Sequence, residues 1–122
     1  MPSLKSSIER LAALGEVEHN PEARPTFFEF RDALTQGKIR AAEKIDGRWT
    51  VNTWVKHGIL LGFRLGELAE TGCAALSFVD KDTFPARKFT VADKIRVVPG
   101  GSSVRLGAYV APSVICLSLI HI

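Results

Sequence analysis

The feature that most limits what this chain can fold into is a six-residue periodicity that begins at Val98. Set in sixes, the sequence reads VPGGSS, VRLGAY and VAPSVI, with Val98, Val104 and Val110 opening the three units. Ser102, Ala108 and Val114 take the fifth place, which is small or β-branched each time. An aliphatic residue followed four places later by a small one, on a period of six, is the pattern of a parallel β-helix. Each unit makes one short strand and a turn, the aliphatic side chain fills a narrow triangular interior, and three units close one coil. Residues 98–115 therefore describe a single coil. A lone coil cannot cover its own ends, because each repeat needs neighbours stacked above and below. Three matched units also arise by chance in a stretch rich in valine, alanine and glycine, so the pattern alone leaves both readings open.

The chain before Val98 reads differently. Leu4, Ile8 and Leu11 recur at helical spacing behind Ser3, a capping residue, which predicts a helix over residues 3–14. Asn20, Pro21 and Pro25 then punctuate the chain. Thr26 and Glu29 form a T-x-x-E capping box, Phe27, Phe30 and Leu34 supply an apolar stripe, and Gly37 stands where a helix stops. Residues 40–45 and 48–52 flank Asp46-Gly47, the dipeptide suited to a two-residue type I′ hairpin turn. Asn52 is placed to cap a third, mostly buried helix carrying Trp54, Val55, Ile59 and Phe63 and ending near Gly66. Trp49 and Trp54 are both expected to pack in the core. Residues 66–90 show no clean period; Gly72, Pro85 and the run Asp80-Lys81-Asp82 suggest loops, with a short strand over 76–79.

The 122 residues are 46% hydrophobic and 24% charged, an ordinary globular balance that rules out a wholly disordered chain. Sixteen basic residues against thirteen acidic leave +3, too small and too dispersed an excess to argue for nucleic acid. Cys73 and Cys116 stand apart without a CxxC pair or a histidine at metal spacing, so reduced thiols are expected and no metal is. Lys5, Glu9 and Arg10 run through the first apolar pattern, which does not suit a secretory signal. The longest apolar stretch, residues 109–122, is broken by Pro112 and is shorter than the ~20 residues that a spanning helix needs. A soluble, cytoplasmic protein without a membrane or nucleic-acid partner is the expectation.

Three stretches together resemble one family. AEKIDGRW (42–49), WVKHGILLGFR (54–64) and IRVVPGGSSVRLGAYVAPSVIC (95–116) look like the tetrahydrodipicolinate N-succinyltransferases of bacterial lysine (diaminopimelate) biosynthesis. A hexapeptide repeat by itself would say only that the chain is acyltransferase-like, whereas the hairpin and helix before it are particular to this family. The resemblance implies an α+β chain. A small helical N-terminal domain with a β-hairpin (1–95) would be followed by the first coil of a left-handed parallel β-helix (96–116). It further implies a homotrimer with active sites between subunits, and transfer of succinyl from succinyl-CoA, as co-substrate, to the amine of the opened tetrahydrodipicolinate; no cofactor is implied. The final residues 117–122 fit no coil and read as foreign to the family, as a shifted reading frame or early stop would produce. The carboxylates that the family uses for catalysis have no counterpart here, so no catalytic residue is assigned and the 122-residue chain by itself is expected to be inactive.

One functional position does match. Arg96, in IRVVPGG, corresponds to the arginine by which the family holds its dicarboxylate substrate. A guanidinium suits that task because its planar fork pairs bidentately with a carboxylate. Without the family the same residue reads as a surface arginine at a strand edge. Residues 99–103, with two glycines and two serines, could cradle an anion, but they lack the lysine and spacing of a P-loop and fit a β-helix corner better. His19 and His57 have no Ser or Cys partner at a recognisable spacing and are assigned to surface or packing. Gly58 and Gly62 form a G-x-x-x-G that would let a neighbouring element approach closely. The rival from another class is a non-enzymatic binding module presenting Lys38, Arg40, Lys44, Arg48, Lys56 and Arg64 as a basic face, although acidic residues are interleaved with them.

Overall fold

The computed structural model describes residues 3–73 and 76–117, with Cys73 described by its backbone only. Expectations that fall on residues 1–2, 74–75 and 118–122, the last including nearly all of the tail, lie outside the described residues.

Helix α1 spans Leu4–Ala12, and the Ser3 side chain accepts from the Ser6 backbone N–H, as its position predicts. Its other end is closed from a distance. The Arg64 guanidinium donates to the Ala12 carbonyl, which the helix leaves open, and to the carbonyls of Leu14 and Gly15 just beyond it.

Helix α2 spans Ala23–Thr35, so it starts three residues before the expected cap at Thr26. The Thr26 N–H already donates to the Glu22 carbonyl, which places Thr26 inside the helix and removes the capping box. Initiation falls instead to Asn20, whose side chain accepts from the Glu22 N–H at 2.9 Å. Pro25 then lies in the first turn, where a missing N–H leaves no intrahelical bond unmade. The C-terminus agrees with expectation. Gly37 takes a φ of 75°, Gly37 N–H bonds Leu34 and Lys38 N–H bonds Ala33, which is the Schellman arrangement.

Strands β1 (Ala42–Ile45) and β2 (Arg48–Val51) form the expected hairpin, with Ile45 opposite Arg48. Asp46 and Gly47 both have positive φ, 50° and 79°, as a type I′ turn requires. Trp49 does not pack. It is 74% exposed and Val51 72%, in a sheet of only two strands among the described residues. Trp54, by contrast, is half-buried with its ring edge toward Phe30.

Helix α3 spans Thr53–Leu65 and crosses α2 through its glycines. A Cβ on Gly58 would sit 2.4 Å from the Phe30 ring, and one on Gly62 2.4 Å from the Phe27 ring. The G-x-x-x-G is thus a pair of seats for two phenylalanines. Ile8, Leu11, Val17, Phe27, Phe30, Val55, Leu61 and Leu65 complete a core shared by the three helices. Phe63, expected inside, is partly exposed, and it stacks on Phe84 at 4.8 Å.

The segment expected to be loops with a short strand over 76–79 holds a second antiparallel hairpin, β3 (Leu68–Cys73) with β4 (Leu76–Lys81); the expected strand lies within β4, and β3 is additional to the expectation. Its backbone ladder, rather than any alternating apolar pattern, defines it. The chain then turns into the core. Thr83 is fully buried and donates its hydroxyl to the Gly62 carbonyl at 2.7 Å, while its own carbonyl accepts from Arg31. Arg24 donates to the Leu65 carbonyl and pairs with Asp82, whose side chain also accepts from the Glu67 N–H.

These contacts hold the Asp82 carboxyl below its ordinary range, chiefly through the Glu67 N–H; desolvation opposes the shift, and the hydrogen bond and charge of Arg24 add to the lowering. A depressed folded pKa means that stability present above the unfolded value is lost as pH falls through the folded one. The difference in melting temperature between wild type and Asp82→Asn should therefore be largest near neutral pH and shrink on the acid side of the carboxylate range. A difference that stays constant across that range would remove the charge-based account.

Candidate functional site

Beyond the hairpin, the chain runs alongside the hexads. Arg87 N–H donates to Val104 O and Leu106 N–H to Pro85 O, and Gly107 N–H donates to the Thr35 hydroxyl at the end of α2. Tyr109 lies against Gly37, with the Arg40 guanidinium over its ring at 5.0 Å. The periodic segment is thereby docked on the helical unit at two points.

Arg96 and Val97 form strand β5, which pairs in parallel with β6, Ile115–Cys116. The supporting bonds run from Arg96 N–H to Val114 O and from Val98 N–H to Cys116 O. Both join residues eighteen apart, the length of three hexads. Val98, Val104 and Val110 are half-buried, while Ala108 and Val114, expected to point inward, are exposed. Only one parallel pair covers this coil among the described residues, and a single layer leaves its interior partly open.

Arg96 itself is exposed at the edge of a shallow groove lined by Phe89, Thr90, Val91, Val98 and Pro99. Among the described residues no carboxylate lies within 4 Å of its guanidinium. The acidic residue nearest in sequence, Asp93, is occupied elsewhere. Its Oδ2 accepts from the Thr90 N–H at 2.8 Å and the Thr90 hydroxyl at 3.3 Å, and its Oδ1 faces Arg87 at 3.9 Å. This reciprocal cap opens a 3-10 turn over Val91–Asp93, and Lys94, with φ of 58°, closes it. Among the described residues the Arg96 guanidinium makes no ion pair, and its planar fork has the shape to receive an anion with a planar pair of acceptors.

Residues 99–103 carry positive φ at Gly100 and Gly101, and nothing surrounds the Gly101 Cα closely, so they turn a corner without forming a cradle. His57 lies on the exposed side of α3 and His19 in a 3-10 turn over Val17–His19. Cys116 is a free thiol. Of the six residues proposed as a basic face, Arg64 is committed to α1 carbonyls and Arg40 to Tyr109. Sequence reasoning missed Asp93 and Arg87, although T-x-x-D over residues 90–93 is a capping pattern with aspartate in place of glutamate. Among the described residues no helix is long and apolar enough to cross a membrane.

A helical unit that leads into a strand paired three hexads further on defines the class of chain to which this one should be compared. Residues 3–65 match the family model described as tetrahydrodipicolinate N-succinyltransferase N-terminal, just over half of the chain, and the chain belongs to that family. Among curated relatives, the 2,3,4,5-tetrahydropyridine-2,6-dicarboxylate N-succinyltransferase of Ehrlichia ruminantium is 39% identical over 111 residues, covering 81% of this chain and 38% of the relative. The enzyme of the same name from Bordetella pertussis is 34% identical over 122 residues, covering 94% of this chain and 43% of its own length. That of Actinobacillus pleuropneumoniae is 30% identical over 118 residues, with coverages of 93% and 43%. The chain thus spans about two-fifths of the length of the curated relatives it matches.

Proposed function

We propose that this chain is the N-terminal part of an acyltransferase that moves succinyl from succinyl-CoA to tetrahydrodipicolinate in diaminopimelate and lysine biosynthesis, acting in the cytoplasm as a homotrimer. The observation that carries the reading is similarity along almost the whole chain to enzymes whose name states that reaction. In the reaction, the acceptor amine attacks the thioester carbonyl, a C–N bond forms, the C–S bond breaks and CoA leaves as its thiol. The amine must lose a proton to a base, and the thioester oxygen needs hydrogen-bond donors as it becomes an oxyanion. Arg96 serves neither step; it holds an acceptor carboxylate. The eighteen-residue spacing of the β5–β6 bonds supports reading residues 96–116 as the first coil of a left-handed β-helix, and 1–95 as a separate helical and hairpin domain.

The test is reconstitution. Residues 1–116 joined to the part of the Bordetella pertussis enzyme beyond its matched region should release CoA thiol from succinyl-CoA in the presence of acceptor. The 122-residue chain alone should match a no-protein control. A folded chimera without turnover would count against the reading, and turnover by the 122-residue chain would overturn the division of labour within it.

A further inference from the structure

We propose that Asp93 is a positioning residue for the Arg96 groove, an inference that rests on the reading of Arg96 as a carboxylate-binding residue. The groove has two sides. Arg96 and Val97 supply one as strand β5, fixed by backbone bonds to β6. The other is the stretch from Phe89 to Val91, which has no strand partner among the described residues, and Val91 is 97% exposed. Asp93 holds that second side. Its carboxylate bonds both the N–H and the hydroxyl of Thr90 and faces Arg87.

Arg87 is in turn a fixed point. Its side chain is only 16% exposed, its guanidinium lies 4.6 Å over the Phe89 ring, and its backbone N–H is bonded to Val104. Immediately after the turn, the Lys94 carbonyl accepts from Ser113 N–H, which ties the bracket to the segment that leads into β6, the strand paired with Arg96. Asp93 therefore does two things. It fixes the wall opposite Arg96, and by spending its acceptors on Thr90 it keeps the acidic residue nearest in sequence occupied away from the guanidinium that a ligand must reach. Binding geometry held by such supporting contacts is sensitive to displacements of the order of an ångström.

The probe is pimelate, an unbranched seven-carbon dicarboxylate, titrated into the 122-residue chain while the Arg96 Nε–H and the Thr90 and Val91 amides are followed by NMR. Wild type should show saturable shifts at Arg96. Asp93→Ala should weaken binding about tenfold, with the resonances of the Phe27 and Phe30 core unchanged. Asp93→Asn, which keeps an acceptor for Thr90, should stay within about twofold of wild type, a rescue that a general loss of stability would not give. Equal or tighter binding by Asp93→Ala, or equal weakening in both variants, would overturn the positioning role and leave Arg96 as the carboxylate site. No saturable shift at Arg96 in wild type would overturn the Arg96 reading and this inference with it. Should Asp93→Ala lose its core resonances, Thr90→Val decides: weaker pimelate binding with the core intact supports the bracket, and unchanged binding overturns it.

Discussion

Phe27→Ala should destabilise the helical unit by about 3–5 kcal/mol, the range for emptying a fully buried aromatic site. That is a large share of the roughly 5–15 kcal/mol by which domains are usually stable. Phe27 is fully buried, lies 5.4 Å from Phe84 edge-on and 6.0 Å from Phe30, and rests on the Cα of Gly62. Collapse into the vacated space is hindered because Gly62 brings no side chain to fill it. The reciprocal change tests the same seat. Gly62→Ala gains about 1 kcal/mol of helix propensity but sets a methyl group 2.4 Å from the Phe27 ring and 2.7 Å from that of Phe84, both held by neighbours. Overpacking of this kind costs about 1–3 kcal/mol. In the double variant the clash with the Phe27 ring is gone and only the contact with Phe84 remains, with vacated space beside it, so the alanine at 62 should cost less than it does alone and the cycle should be non-additive. Urea midpoints, read with a constant m-value, supply all four corners. Additive effects would mean that the two positions do not share one cavity.

The parts of the fold legible in the sequence are those decided by local chemistry. Asp46-Gly47 can hardly do anything but a type I′ turn between two extended runs, and Gly37 ends α2 because its positive φ is free of a Cβ penalty. Ser3 caps α1 for an equally local reason. The misreadings come where a distant partner decides. Thr26 and Glu29 look like a cap, yet Asn20 starts the helix earlier by taking the Glu22 N–H. Strand β3 has little β-propensity in its own residues and exists through its ladder with β4, so no periodicity announces it. Thr83 looks like a loop threonine until its hydroxyl is found on the Gly62 carbonyl. Trp49 shows the opposite error, since an indole invites burial but a two-stranded hairpin offers it no opposing layer. At the candidate site, Arg96 drew notice through the family motif around it. The capping pattern that arranges the far wall spans only four residues, 90–93, and is easily passed over because its acid is aspartate.

On the proposed reading, Arg96→Lys in the reconstituted enzyme should raise the KM for the acceptor ten- to hundred-fold and leave that for succinyl-CoA nearly unchanged. Lysine preserves the charge, so a purely Coulombic role would survive the change. It loses the planar fork that can meet both oxygens of a carboxylate at once. A charge-assisted hydrogen bond is worth about 1.5–3 kcal/mol, which sets the size of the effect. The fold should tolerate the substitution well. Arg96 is exposed, makes its structural bonds through the backbone to Val114, and has no side-chain ion pair among the described residues. Assembly should be equally indifferent, since the hexad interior is lined by Val98, Val104 and Val110 and Arg96 precedes the first of them. Initial rates across acceptor concentrations, beside a sedimentation measurement of assembly, separate these outcomes. Unchanged acceptor kinetics would return Arg96 to the status of a surface residue at a strand edge, and loss of assembly with kinetics to match would make its role structural.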